Sequence, residues 1–186
     1  MSVSGDSSPV PLPAETTSEA EPPECLAICL VSEDGDWSGF GPVEDAVRDA
    51  AGALARHPRL TLPSACEASV VLASDEVVRR LNLAHRGKDA ATNVLSFPFQ
   101  CPPGAGAGDS AYLGDVVLAA ETVWREAADL GIEPRHHLQH LVVHGLLHLL
   151  GWDHQTESEA EAMEHFEAQV LETIGVANPY AAPADT

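Results

Sequence analysis

The sequence has very little positive charge. Lys88 is the only lysine, and nine basic residues stand against 29 acidic ones in a chain of 186 residues, so the formal net charge is −20. Proteins that bind nucleic acids neutralise phosphates with lysine and arginine. Taken alone, this composition argues against a nucleic-acid partner.

The sequence also lacks the signals of membrane insertion and of export. Its apolar runs, such as Cys25–Val31 and Leu146–Leu150, are much shorter than the ~20 residues that cross a bilayer. No basic region followed by an apolar stretch opens the N-terminus. We therefore expect a soluble cytoplasmic protein that does not contact a membrane.

Cysteine is sparse and scattered. The chain has four, none of them in a C-x-x-C pair: Cys25, Cys29, Cys66 and Cys101. Such spacing suits neither a disulfide framework nor a thiolate zinc site. We expect all four to be small buried hydrophobic residues without a metal or redox role.

The N-terminal segment 1–23 is rich in serine, proline, glutamate and alanine and has almost no large apolar side chain. A segment of this kind cannot bury enough surface to offset the entropy of ordering it. We predict a disordered tail over residues 1–23 and one catalytic domain over residues 24–186. The hydrophobic content of the chain, 45%, is sufficient for one core of ordinary density.

Hydrophobic spacing and turn residues predict the element order βαβαββααα. The predicted strands are Cys25–Val31, Cys66–Ala73, Asn93–Phe97 and Leu113–Leu118. The predicted helices start at Pro42, at Asp75, at Ala120, at Pro134 and at Thr156. The polar segment His85–Thr92 and the Pro/Gly/Ala-rich segment Cys101–Ser110 are predicted to be loops. This order predicts an α+β fold, with a small mixed four-stranded sheet packed with about five helices in a single domain.

The most informative stretch of the chain is HGLLHLLGWDH, residues 144–154. On a helix, His144 and His148 lie on one face, one turn apart. Gly151 is a natural helix end, and a turn after it can bring His154 back towards the same point. Three imidazoles can bind one zinc ion and leave a fourth position for water, which is the catalytic pattern of zinc. We predict one zinc ion at these three residues.

Other histidines precede this stretch. His140 is one turn before His144 and could compete as a ligand, but ligands along one straight helix drift apart in angle. We therefore expect His140 to have a hydrogen-bonding or packing role. His136 and His137 are expected on an exposed first turn of the helix. For Asp153 two interpretations stay open, an acceptor that orients a ligand imidazole or an ordinary turn residue.

The stretch is not the H-E-x-x-H motif of zinc peptidases, because Gly145 occupies the position of the glutamate that acts as general base. A peptidase or amidase with these histidines would lack its base.

Four of the nine basic residues fall within ten positions: Arg79, Arg80, Arg86 and Lys88. One interpretation is a solvated helix end and loop. The other is an anion site, in which the planar guanidinium of Arg86 binds a phosphate beside the flexible Gly87. The residues alone favour neither.

Several separate stretches resemble the bacterial YbeY endoribonucleases. They are HRGKDAATNVLSFPF, YLGDVVLA, HGLLHLLGWDH and Asn178-Pro179-Tyr180, in the family's order across residues 66–180. Trp152 is a departure, because the family commonly has tyrosine there.

This resemblance implies zinc on His144, His148 and His154 and a requirement for Arg86 in catalysis. It implies cleavage of single-stranded RNA, maturation of the 3′ end of 16S ribosomal RNA and ribosome quality control, with the small ribosomal subunit as partner. Two alternatives are kept: a ribosome-assembly factor with a structural zinc, and a zinc peptidase or amidase. The sequence also leaves open whether the metal's water attacks phosphorus or activates the ribose 2′-hydroxyl.

Overall fold

The computed structural model describes residues 26–62, 65–100 and 111–181. The predicted tail over 1–23 and the predicted linker Cys101–Ser110 lie outside these residues, as do Cys25 and Cys101. Both segment predictions therefore stay predictions.

The described residues form four strands and five α-helices in the predicted order, together with a short 3-10 turn at Ser38–Phe40. The strands are β1 (Leu26–Ser32), β2 (Cys66–Ala73), β3 (Val94–Pro98) and β4 (Ala111–Ala119). The helices are α1 (Val43–Ala55), α2 (Asp75–Arg86), α3 (Ala120–Leu130), α4 (Pro134–Leu149) and α5 (Glu157–Glu172). The prediction of an α+β fold with a four-stranded mixed sheet is confirmed.

The strand order in the sheet is β1-β2-β4-β3. β1 pairs with β2, and β2 with β4, in parallel register. β3 pairs with β4 in antiparallel register and forms an edge of the sheet. Because β3 is an edge strand, its outer side is free to border a cavity.

Helices pack on both faces of the sheet. On one face, β2 and β4 contribute alternate residues to the larger core, which α1, α4 and α5 complete: Ala68, Val70, Leu72, Val116 and Leu118. On the other face a smaller core forms around Val78 of α2. α4 is the central helix of the larger core, and it contacts α1, α3, α5, β3 and β4. Residues carried by α4 therefore have a rigid support on several sides.

α2 and α3 cap one another at their N-termini. The backbone N–H of Asp75 donates to the carboxylate of Glu121 over 2.7 Å, and the backbone N–H of Thr122 donates to the carboxylate of Asp75 over 2.9 Å. Each carboxylate satisfies an amide of the other helix that has no intrahelical partner. This exchange fixes the start of α2 relative to α3.

One prediction about a residue of α2 and one about a residue of β1 are wrong. Arg86 is not a loop residue, because α2 continues to Arg86 and ends at Gly87 in the left-handed conformation, with φ 67°. His85 and Arg86 suit a last helical turn, where basic side chains interact favourably with the helix dipole. Cys29 is exposed, whereas Cys66 is buried as predicted, because Cys29 points away from the core on the edge strand β1.

None of the helices in the described ranges is both long enough and apolar enough to span a bilayer.

Candidate metal centre

Three histidines converge where α4 ends. His144 and His148 lie one turn apart on α4, and His154 follows in the turn after Gly151, which has a positive φ of 86°. The Nε2 atoms of His144 and His148 are 3.1 Å apart. One ligand atom from each of the three rings lies within 4.8 Å of the others. The structure therefore brings together the three residues that the sequence predicted to share one ion.

Hydrogen bonds fix the orientation of two of the rings. Nδ1 of His144 lies 2.8 Å from a carboxylate oxygen of Glu167, and Nδ1 of His148 lies 2.9 Å from the backbone carbonyl of Trp152. An N–H is required at both Nδ1 atoms, because each of these partners is an acceptor. In the neutral rings the two Nε2 atoms therefore present lone pairs toward each other.

This arrangement fits a bound cation. Two lone pairs that face each other across 3.1 Å repel unless a positive charge lies between them. Zinc-ligating histidines usually donate their other ring N–H to a carboxylate or a backbone carbonyl, which is what His144 and His148 do here. Among the described residues, this is the one group of histidine, cysteine or acidic side chains that is close enough to hold a metal ion.

Burial and mutual repulsion keep His148 neutral. Desolvation lowers the pKa of His148, and the neighbouring His144 and His154 lower it further. A metal ligand must be unprotonated at its binding nitrogen. The site therefore favours the imidazole form that binds a cation.

A buried carboxylate from α5 completes the support of the centre. Glu167 is fully buried and accepts hydrogen bonds from His140, His144 and the hydroxyl of Tyr180. Burial by itself would raise the pKa of Glu167, but the hydrogen bonds from His140, His144 and the hydroxyl of Tyr180 lower it to about 2. Glu167 is therefore ionised at neutral pH.

The sequence analysis missed Glu167. A signal was present, because Met163, Phe166 and Val170 mark the buried side of α5 and Glu167 lies among them at helical spacing. A glutamate on an apolar helix face has to find partners inside the protein. In this protein those partners are the histidines of α4.

A cavity of about 550 Å³ opens beside the three histidines. It is lined by them, by β3 residues including Val94 and Ser96, and by Arg86. Arg86 and Lys88 make no ion pair with any described residue, whereas Arg79 on the same helix pairs with Glu76 and Asp89. An unpaired guanidinium in the cavity of a very acidic chain is available to bind an anion.

Gly145 allows α4 to approach the sheet closely. A Cβ atom at this position would lie 2.5 Å from Cγ1 of Val116, and the Gly145 carbonyl accepts a hydrogen bond from Ser96 over 3.0 Å. A glutamate at this position would clash with β4. The structure therefore explains why the general base of zinc peptidases is absent.

The other candidate residues of this region are now placed. His140 has the predicted hydrogen-bonding role, and Asp153 is a turn residue that accepts from the backbone of His154 and the side chain of Gln155. The prediction of an exposed His137 is wrong. Its ring is buried and bonds to Glu126 over 2.9 Å, because the first turn of α4 packs against α3.

Comparisons with known proteins agree with the resemblance. A family model described as Endoribonuclease YbeY matches residues 42–175. A protein with that name from Parvibaculum lavamentivorans is 43% identical over 166 residues, which is 84% of this chain and 86% of the relative. Another, from Rhizobium meliloti, is 44% identical over 165 residues, which is 83% of this chain and 95% of the relative. A solution structure from Thermotoga maritima aligns with 87% of this chain and 99% of its own, with 21% identity and a TM-score of 0.49.

Proposed function

The chain belongs to the YbeY endoribonuclease family, and we propose that it cleaves single-stranded RNA at a zinc centre formed by His144, His148 and His154. The observation that supports this proposal is the convergence of the three imidazoles in one cavity with Arg86. The low positive charge of the chain had argued against a nucleic-acid partner. Family membership overrides that inference, because net charge does not show that Arg86 lines the cavity without an ion pair to any described residue.

The protein's own residues supply positioning and charge. When bound, zinc supplies an acidified water and a Lewis acid for a phosphate oxygen. Arg86 binds the scissile phosphate and neutralises the negative charge that grows there during cleavage. Glu167 holds the His144 ring through Nδ1, and the Trp152 carbonyl holds the His148 ring in the same way. These contacts keep both Nε2 atoms directed at one point.

For the biological substrate we propose ribosomal RNA. The family resemblance implies maturation of the 3′ end of 16S ribosomal RNA and ribosome quality control, with the small ribosomal subunit as partner. Such work would take place in the cytoplasm. We assign it to a single catalytic domain over residues 24–186.

Two alternatives give different results in one set of assays. A zinc peptidase would cleave casein, although the position of its base is occupied by Gly145. An assembly factor with a structural zinc would bind one zinc but would not cleave RNA. The proposed enzyme cleaves a labelled single-stranded RNA, leaves casein intact and stops when zinc is removed.

The metal ligands can be tested by elemental analysis of protein purified without a chelator or a metal-affinity resin. We expect about one zinc per chain in the wild type. His148→Ala should lose the zinc and the RNA cleavage, because two imidazoles bind zinc far more weakly than three. His165→Ala is the matched control, since His165 is an exposed histidine of α5 that bonds to Gln169. Full zinc occupancy in His148→Ala would overturn the ligand set.

A further inference from the structure

The cavity beside the three histidines runs along the free side of β3. α2, which carries Arg86, and α4, which carries two of the histidines, pack on opposite faces of the sheet. One cavity touches both helices by passing around β3, which is the edge strand. Its lining follows this strand along its length: Thr92, Asn93, Val94, Ser96 and Pro98. A substrate held in the cavity therefore lies against the free side of β3.

Every second residue of β3 directs its backbone groups away from the sheet. At the start of the strand the C=O of Asn93 accepts from Ala119 over 3.0 Å. At its end the N–H of Phe99 donates to Leu113 over 2.8 Å. In an antiparallel pair, residues bonded to the partner strand alternate with residues whose N–H and C=O point outward. The outward residues are Val94, Ser96 and Pro98. A proline, which has no N–H, suits an outward position of an edge strand.

Two of the outward groups have no hydrogen-bond partner in the part of the chain that the structure describes, the C=O of Val94 and the N–H of Ser96. The N–H of Val94 donates instead to the side chain of Asn93, and the Ser96 hydroxyl donates to the carbonyl of Gly145. Val94 and Ser96 are both only partly buried. A backbone group of this kind is satisfied by water or by a ligand. The free side of β3 thus presents an acceptor and a donor side by side, two residues apart.

We propose that the C=O of Val94 and the N–H of Ser96 bind the Watson–Crick edge of one RNA base, next to the phosphate held by Arg86. Each of the four bases has a donor and an acceptor next to each other on this edge. The edge is occupied in a double helix and accessible in a single strand. The contact therefore selects single strands without reading their sequence, and it rests on the proposed function.

An extended peptide is the other ligand that an open side of a sheet accepts, by adding to it as a further strand. The cavity favours RNA, because the free side of β3 shares it with Arg86. A guanidinium suits a phosphate, and a peptide backbone has no anionic group to place there.

The test compares two methylated RNAs. 3-Methyluridine carries its methyl group on the Watson–Crick edge, whereas 5-methyluridine carries the same group on another edge of the base. Each replaces one uridine at a time in a single-stranded RNA whose cleavage position has been mapped. In the wild type, 3-methyluridine at one position should lower kcat/KM by about 10–100-fold, which is the scale of a paired base contact. 5-Methyluridine at that position should leave kcat/KM nearly unchanged.

Two substitutions at one residue assign the contact to β3. Ser96→Pro removes the N–H, and it should fold because the pairing of β3 with β4 does not use this group. Ser96→Ala is the matched control, since it removes the hydroxyl and keeps the N–H. The penalty for 3-methyluridine should shrink severalfold in Ser96→Pro and stay complete in Ser96→Ala, with zinc content measured in both.

A measurement on the wild type is independent of these variants. In an NMR titration of zinc-loaded protein, the amide signal of Ser96 should shift when a non-cleavable 2′-deoxy oligouridine is added. It should stay in place with the 3-methyl form of the same oligonucleotide.

Equal cleavage of the two methylated RNAs at every position would overturn the subsite and leave the free side of β3 to a peptide. The same penalty in folded Ser96→Pro as in Ser96→Ala, or an unmoved Ser96 signal, would also count against it. The proposed function fails separately, if RNA cleavage survives in zinc-free His148→Ala.

Discussion

Replacing Glu167 by glutamine should weaken both the fold and the metal centre. A glutamine side chain has nearly the same volume, but its amide has one oxygen and one NH₂ group in place of two acceptor oxygens. The two oxygens of Glu167 face different donors, His144 on one side and His140 with Tyr180 on the other. In either orientation of the amide, one of these donors meets the NH₂ group. The variant therefore loses at least one of the hydrogen bonds that the ionised carboxylate accepts from these residues.

The magnitude follows from the pKa of the carboxyl. Burial opposes ionisation, but the hydrogen bonds from the two histidines and from the Tyr180 hydroxyl lower the pKa from 4.5 to about 2. This difference corresponds to roughly 3 kcal/mol of folding free energy at neutral pH. Since the folded pKa lies below the unfolded one, this stability is fully present above about pH 4.5 and is lost as the pH falls toward 2. Loss of such a partner also costs about 10–100-fold in metal affinity.

Two measurements check this prediction. Chelator competition gives the zinc dissociation constant, and urea titration of metal-free protein between about pH 7 and about pH 3 gives the free energy of unfolding. Glu167→Gln should bind zinc more weakly and should show a smaller fall in stability with acid than the wild type. Glu161→Gln is the control, because Glu161 is an exposed residue of the same helix. Wild-type zinc affinity together with an unchanged acid dependence would refute the reasoning.

Three further changes have distinct expected results. Arg86→Ala should fold and keep its zinc, because Arg86 is exposed. Single-turnover RNA cleavage by this variant should be slower by about 10²–10³-fold, with Arg80→Ala as the control. A zinc-replete Arg86→Ala variant that cleaves as fast as the wild type would remove Arg86 from the mechanism. Gly145→Ala should lower the free energy of unfolding in urea by about 1–3 kcal/mol, because its Cβ would meet Val116; an unchanged value would contradict this. Deletion of residues 1–22 should leave the melting temperature and zinc content nearly unchanged, and a fall of more than a few degrees would show that the segment packs on the domain.

Local patterns in the sequence were sufficient for the elements and for the histidine cluster. β2 has the predicted bounds, α3 starts at the predicted Ala120, and Thr156 caps the start of α5. His144, His148 and His154 are close in sequence, so helical spacing and one turn are enough to bring them together. Each of these predictions depends on interactions within about a dozen residues.

The residues that were missed or misplaced depend on contacts between distant elements. Glu167 meets His144 only because α5 docks on α4, and His137 is buried only because α3 packs on the first turn of α4. Periodicity within α5 marks Glu167 as buried, but it does not identify the helix that packs against it. The expectation from net charge, which argued against a nucleic-acid partner, is limited for a related reason. Net charge does not show that Arg86 lines the cavity while Arg79 is neutralised by its neighbours.

The short sequence separation of the three histidines makes the ligand set a local feature of the chain. They lie within residues 144–154, and the entropic cost of closing so short a loop is small. Bringing them together needs only α4 and its following turn, without the pairing of the sheet. Arg86 and Glu167, by contrast, reach the site only where α2 and α5 are docked. The ligands are therefore encoded locally, whereas the complete site depends on the tertiary fold.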